Sequence, residues 1–173
     1  IESLAVWPVV QATAFIFRSG GIAFQEVAIA LTGKHGEHAE EVRRTAALLA
    51  AISSLALAVV AFTRLEVVWL QRVSGLSAEL AAFAVWPIRL LVLLPALDYA
   101  LSVQRAGWII SRRTKPVTIA TAVEGAGLAT ALFLTVGPLG MIGAVGGAIA
   151  MMTGRLASNL YLLMRPMTDR QAP

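Results

Sequence analysis

From Ala46 to Thr63 the chain reads AALLAAISSLALAVVAFT, a run without a single charged side chain. A helix needs about 20 mainly apolar residues, each rising about 1.5 Å, to cross roughly 30 Å of hydrocarbon, so this stretch has the character of a membrane span. Four further runs, separated by charged or Gly/Pro-rich breaks, repeat the pattern. They are Ser3 to Leu31, Leu80 to Val103, Pro116 to Val136 and Leu139 to Met164. The first carries Arg18, Ser19, Gly20 and Gly21 near its middle, which predicts a tilt or bend there. The third contains Pro87 and Pro95, tolerated in membrane helices where neighbours satisfy the freed carbonyls. The fold class expected is therefore all-α, a polytopic transmembrane helix bundle of about five spans forming one lobe over residues 1–173.

Composition agrees with that reading. Of 173 residues, 58% are hydrophobic and 14% charged, with a mean hydropathy of +0.76, against roughly 25% charge in an ordinary soluble domain. A net charge of +4 in a soluble chain would point to nucleic acid, but here the basic residues report orientation instead. If the spans alternate, Lys34, Arg43, Arg44, Arg105, Arg112, Arg113, Lys115, Arg165 and Arg170 share one side, and only Arg64 and Arg72 the other. That bias predicts a cytoplasmic C-terminus in an inner or plasma membrane. The segment Leu65 to Leu76 is expected to lie along the outer interface, with Trp69 as an anchor. Cysteine is absent, which excludes disulfides and thiolate metal sites. The chain begins at Ile1, shows no basic region before a short apolar core, and has an odd number of spans, so a piece of a longer protein is expected.

Ionisable groups inside apolar runs are the strongest functional pointers, because each costs about 2.5 to 3.5 kcal/mol on insertion scales. Arg18, Glu26, Arg89, Asp98, Glu124 and Arg155 qualify. Counting from the cytoplasmic span ends at about 1.5 Å per residue places Arg18 and Arg89 roughly 20 Å deep, Glu124 and Arg155 about 12 to 14 Å, and Glu26 and Asp98 about 8 Å. Glu124 and Arg155 share a depth on consecutive antiparallel spans and are read as a structural or gating ion pair. Glu26 and Asp98 are expected to be hydrated near the interface or to meet Arg105. Arg18 and Arg89 have no acidic residue of matching depth on this count, so a wet cavity, an anionic ligand or carboxylates elsewhere are expected to meet them, unless Arg89 snorkels to the interface. They are the candidate substrate-binding residues.

Gly143 and Gly147 form a small-residue step for close helix packing, with Gly125 and Gly127 as counterparts. Glu37, Glu40, Glu41, Arg43 and Arg44 read as a solvated helical extension. His35, His38 and Glu41 have spacing that could hold a metal, but their glycine-rich charged loop favours an adventitious grouping, and no metal or other cofactor is expected. Gly33-Lys34 lacks the rest of a phosphate loop, and there is no nucleophile elbow or zinc-protease helix, so an enzyme is not expected.

The order of these features, with Gly137-Pro138-Leu139-Gly140 joining the last two spans, resembles the C-terminal lobe of the multidrug/oligosaccharidyl-lipid/polysaccharide flippase superfamily, the MATE-like transporters. Within it, Trp86-Pro87-Ile88-Arg89, Pro95, Gly107-Trp108 followed by Arg112, Arg113 and Lys115, and Gly140-x-x-Gly143-Ala144 are similar to the progressive ankylosis protein family. The resemblance implies helices eight to twelve of a two-lobe, alternating-access exporter whose N-terminal lobe lies outside this sequence, moving an anionic solute. Arg89 is the charged position it carries over; Arg18 is nominated by depth alone. A lipid-linked oligosaccharide or polysaccharide flippase is the alternative within transport, and a non-transporting membrane scaffold is the alternative outside it. The partners expected are thus the lipid bilayer, the other lobe, and an anionic solute or lipid-linked substrate, with no nucleic acid.

Overall fold

The computed structural model describes residues 2–33 and 36–165. Among them every element is helical: α1 (Glu2–Thr32), α2 (Ala39–Phe62), the short α3 (Leu65–Val67) running into a π turn (Val68–Val73), α4 (Ala78–Leu90), a 3-10 turn (Leu91–Leu93), α5 (Leu94–Ile110), α6 (Lys115–Val136) and α7 (Gly143–Leu163). Four stretches, Ala5–Thr32, Ala39–Phe62, Ala78–Ile110 and Lys115–Val136, are long and apolar enough to cross a membrane. The fifth expected span also forms a helix but is not among these four. Gly143, Gly146, Gly147, Gly154, Arg155, Ser158 and Asn159 lower its hydropathy, and most of them are buried against other helices.

Local chemistry sets the boundaries. Glu40 and Glu41 occupy the first turn of α2, where acidic groups meet the positive end of the helix dipole. Glu40 pairs with both Arg43 and Arg44 on the exposed surface. Ser77 caps α4, its Oγ accepting from the Leu80 amide at 3.3 Å, which satisfies one of the orphan donors of the first turn. Pro95 has no amide hydrogen, so the carbonyl of Leu91 loses its helical partner. The 3-10 turn at Leu91–Leu93 falls at this gap. At the end of α5, Arg112 takes a left-handed φ of 55° and the Arg113 amide closes back on the Trp108 carbonyl at 3.0 Å, the usual helix-ending geometry.

The interior mixes alanines (Ala14, Ala28, Ala46, Ala61, Ala84, Ala106, Ala120 and Ala148) with large side chains such as Leu57, Leu70, Leu91, Leu94 and Trp108, whereas Leu48, Ile52, Leu55, Val59 and Phe62 of α2 and Leu132, Phe133 and Leu134 of α6 are exposed. A soluble monomer rarely shows such apolar faces. Outward-facing apolar side chains, with alanines where helices meet, are what helices in lipid are expected to show, since close backbone approach holds them together.

α1 is continuous from Glu2 to Thr32, through Gly20 and Gly21. They are contact points with α5: a Cβ on Gly21 would lie 2.9 Å from the Asp98 Cβ and 3.1 Å from the Tyr99 amide nitrogen. Trp69 is not a free interfacial anchor, because its Nε1 donates to Thr13 Oγ1 of α1 at 2.9 Å and its ring packs against the core.

Candidate functional site: a buried chain of alternating charges

The side chains that α1, α5, α6 and α7 turn towards one another form a continuous ionic chain. Arg18 Nε donates to Asp98 Oδ2 at 2.7 Å, and its Nη2 reaches Asp98 Oδ1 at 3.3 Å. Asp98 Oδ1 also lies 3.0 Å from Arg155 Nε. Arg155 continues to Glu124 at 3.2 Å, and Glu124 receives Arg105 at 3.3 Å. Asp98 is the hub, with a side chain only 1% exposed. A buried carboxylate is tolerable only where it is paired and hydrogen-bonded, and here two guanidiniums share it.

Backbone fit explains why these groups meet. Gly21 lets α1 press against Asp98 and Tyr99, and Ser102 Oγ donates to the Gly21 carbonyl at 2.7 Å. Gly154 lets α7 approach α6 until a Cβ there would lie 2.7 Å from the Glu124 carbonyl oxygen. Asn159, a turn beyond Arg155, ties α7 to α5: its Oδ1 accepts from Gln104 Nε2 at 3.0 Å and its Nδ2 donates to the Leu97 carbonyl at 3.2 Å.

Beside this chain opens a cleft of about 530 Å³, bordered by Gln25 and Glu26 of α1, Asp98, Ser102 and Arg105 of α5, Thr121 and Glu124 of α6, and Arg155 of α7. Its size is that of a small-ligand site. Glu26 is exposed, and unlike Asp98 and Glu124 it has no partner among the described residues. A second cleft of about 500 Å³ adjoins it, sharing Leu128, and is bordered mainly by apolar groups of α1, α6 and α7.

Arg18 and Arg89, expected to lack acidic partners of their own depth, each have one within the chain. Arg18 is met by Asp98, although the depth count separated the two. That count ended the third span at Val103, whereas α5 runs to Ile110. Asp98 is twelve residues from that end, about 18 Å in, which matches Arg18. The same longer helix moves Arg89 about 31 Å from its end, close to the full hydrocarbon thickness. There it stands level with the last turn of α2, donating to the Ala61 carbonyl at 3.0 Å and pairing with Glu66 at 3.2 Å. The rings of Phe62 and Trp86 flank its guanidinium at 5.3 and 5.7 Å. Asp98 is correspondingly not a hydrated interfacial group.

Glu124 and Arg155 lie side by side, but as the middle of a longer chain rather than as an isolated pair. Arg105, counted as a loop charge in the sequence, belongs to α5 and to this network. Of the packing step, Gly147 lies beneath the Trp7 ring of α1, and Gly143 begins α7 at the edge of the apolar cleft. The α6 contact falls to Gly127, Gly146 and Gly154, while a Cβ on Gly125 would meet nothing within 4 Å. His38 pairs with Glu41 at 2.8 Å; His35, Lys34 and Arg170 lie outside the described residues. In comparisons with protein-family models, curated proteins and solved structures, nothing matches this chain.

Proposed function

We propose that the chain is one lobe of a MATE-like, alternating-access membrane transporter, set in an inner or plasma membrane with its C-terminus in the cytoplasm. It exports or flips a solute bearing an anionic group. The observation that carries this reading is the polar cleft opening onto Arg105, Arg155 and Glu124 among helices apolar enough to span a membrane. Anion recognition passes from Arg18 and Arg89, which do not border the cleft, to Arg105 and Arg155, which do, although Glu124 and Asp98 already pair with them. A carboxylate or phosphate entering the cleft competes with Glu124 for both guanidiniums. Because Glu124 is the ionic link from α6 to α5 and α7, its release loosens α6 against its neighbours and gives binding a conformational consequence. No catalytic step and no cofactor enter this reading.

The test is transport by the complete protein in proteoliposomes, with labelled phosphate, pyrophosphate, a monocarboxylate and a fluorescent lipid as probes. Arg105→Gln is expected to lower transport of whichever probe is moved by about tenfold or more, the usual scale for losing a charged hydrogen-bonding partner. Arg89→Gln is expected to leave it within about twofold, because Arg89 does not border the cleft. Unchanged transport in Arg105→Gln removes the cleft from the mechanism. The scaffold reading draws on one observation, the occupation of Arg18 and Arg89 by Asp98 and Glu66, and gains if no probe moves.

A further inference from the structure

We infer that the seam between α5 and α7 binds a file of internal water molecules, which joins the buried ionic chain to the end of the bundle where these two helices terminate. Neither the transport reading nor the orientation in the membrane is needed for it. Among the described residues, seven buried side-chain nitrogen or oxygen atoms have no aligned hydrogen-bond partner, and six of them belong to α5 and α7. They are Gln104 Oε1, Arg105 Nε and Trp108 Nε1 on α5, and Arg155 Nε, Ser158 Oγ and Tyr161 OH on α7. Chance gaps in packing would not collect on one pair of helices. Buried polar groups are bonded to protein or to ordered water, and an enclosed seam with several donors and acceptors is where internal water is held.

The spacing suits a file. Arg155, Ser158 and Tyr161 form an i, i+3 row on α7, rising about 4.5 Å at each step. Gln104 and Trp108 stand four residues apart on one face of α5, about 6 Å. Two hydrogen bonds through one water span about 4.5 to 5.5 Å, so single molecules bridge such steps. The two rows also meet. Gln104 Nε2 donates to Asn159 Oδ1 at 3.0 Å, and Trp108 shares a buried cluster with Leu162, against which Tyr161 packs. Trp108 and Tyr161 are each two residues from the end of their helix, while Arg155 reaches Asp98. The file therefore runs from the rim of the bundle to its charge hub.

Two contrasts within the chain point to water rather than protein as the partner. Thr13, Thr45, Thr121 and Thr135 turn their hydroxyls onto the carbonyl four residues back, the common recourse of a hydroxyl on a helix. Ser158 does not, although it is wholly buried. Trp69 donates its ring N–H to Thr13, whereas Trp108, only 5% exposed, donates to no protein group. Buried tryptophan and tyrosine normally find such a partner. Water can donate to Gln104 and accept from the Trp108 and arginine nitrogens at once. The ionic chain needs solvent as well: Arg18, Arg105 and Arg155 pair with Asp98 and Glu124, three cations against two anions. A surplus charge among apolar helices is tolerated where water reaches it.

Radiolytic footprinting of the complete protein in lipid nanodiscs tests this. Hydroxyl radicals formed from bound water oxidise the side chains that touch it, whereas a scavenger in the buffer removes the radicals formed in bulk. After correction for intrinsic reactivity, Trp108 and Tyr161 are expected to oxidise severalfold faster than the wholly buried Leu57 and Leu94. The scavenger is expected to suppress oxidation of the exposed Met164 and to leave Trp108 and Tyr161 unchanged. Ser158→Ala and Gln104→Met, which nearly keep side-chain volume, are each expected to halve oxidation of the two rings or reduce it further. Oxidation of both rings no faster than Leu57 overturns the inference. So does suppression by the scavenger to the same degree as Met164, which assigns the signal to bulk water, and so do rates unchanged in both variants. A variant that fails to fold betrays itself by a general rise in leucine oxidation, and the native protein with the other variant then decides.

Discussion

Asp98 is the residue on which most of the buried charge depends. Its two oxygens neutralise Arg18 and Arg155, and its side chain is almost wholly enclosed. Removing one member of a buried pair leaves an uncompensated charge, typically at a cost of about 3 to 5 kcal/mol. Asp98→Asn is therefore expected to lower the thermal midpoint of the purified protein by several degrees. Adding Arg18→Gln should recover part of the loss, since the two residues are in direct contact and their effects will not add. Additive midpoints would show that the pair carries no coupling. A glycine comparison gives a second prediction. Gly21→Ala forces a Cβ against Asp98 and the Tyr99 backbone, whereas Gly125→Ala meets open space. The first should destabilise by about 1 to 3 kcal/mol, and the second should be neutral or stabilising by up to about 1 kcal/mol through helix propensity. Denaturation of the two variants in the same detergent separates them.

At the scale of elements, the apolar runs made the helices legible, but their ends were not. Polar and basic residues at Gln104 and Arg105 read as the start of a loop, yet α5 continues to Ile110. Arg105 stays helical because Glu124 and Thr121 on α6 receive its guanidinium. That tertiary contact has no local signature. The error passed directly into the depth count, which is why Arg18 lost sight of Asp98 and why Arg89 was placed too deep. Glu124 and Arg155 were legible because they lie on consecutive helices joined by a short connection. The Glu66 partner of Arg89 was not, since it sits in the segment between α2 and α4 whose course no periodicity fixes. Gly20-Gly21 shows the same limit in another form: a glycine pair permits a close approach, and only the neighbour, here Tyr99, shows that it is used. The α2 face offers the test for this level. The chain has no cysteine, so single cysteines at Leu48, Ile52 and Leu55 should resist a water-soluble maleimide in reconstituted protein, while one at Thr121 beside the cleft should react. Equal labelling of all four would remove the outward apolar face from contact with lipid.

For the whole molecule, the large apolar side chains left on the outer surface govern how stability would respond to heat. Folding of a water-soluble domain withdraws apolar area from water, and its reversal carries a heat-capacity rise of about 12 to 15 cal/mol/K per residue. Here Leu48, Leu55, Phe62 and Phe133 face outward in the folded state and still meet hydrocarbon when the helices part. Separation of the bundle inside a bilayer thus hydrates little new surface. Its calorimetric transition should be broad and nearly free of a baseline step, and its midpoint should follow the thickness and order of the surrounding lipid more closely than any denaturant dissolved in the buffer.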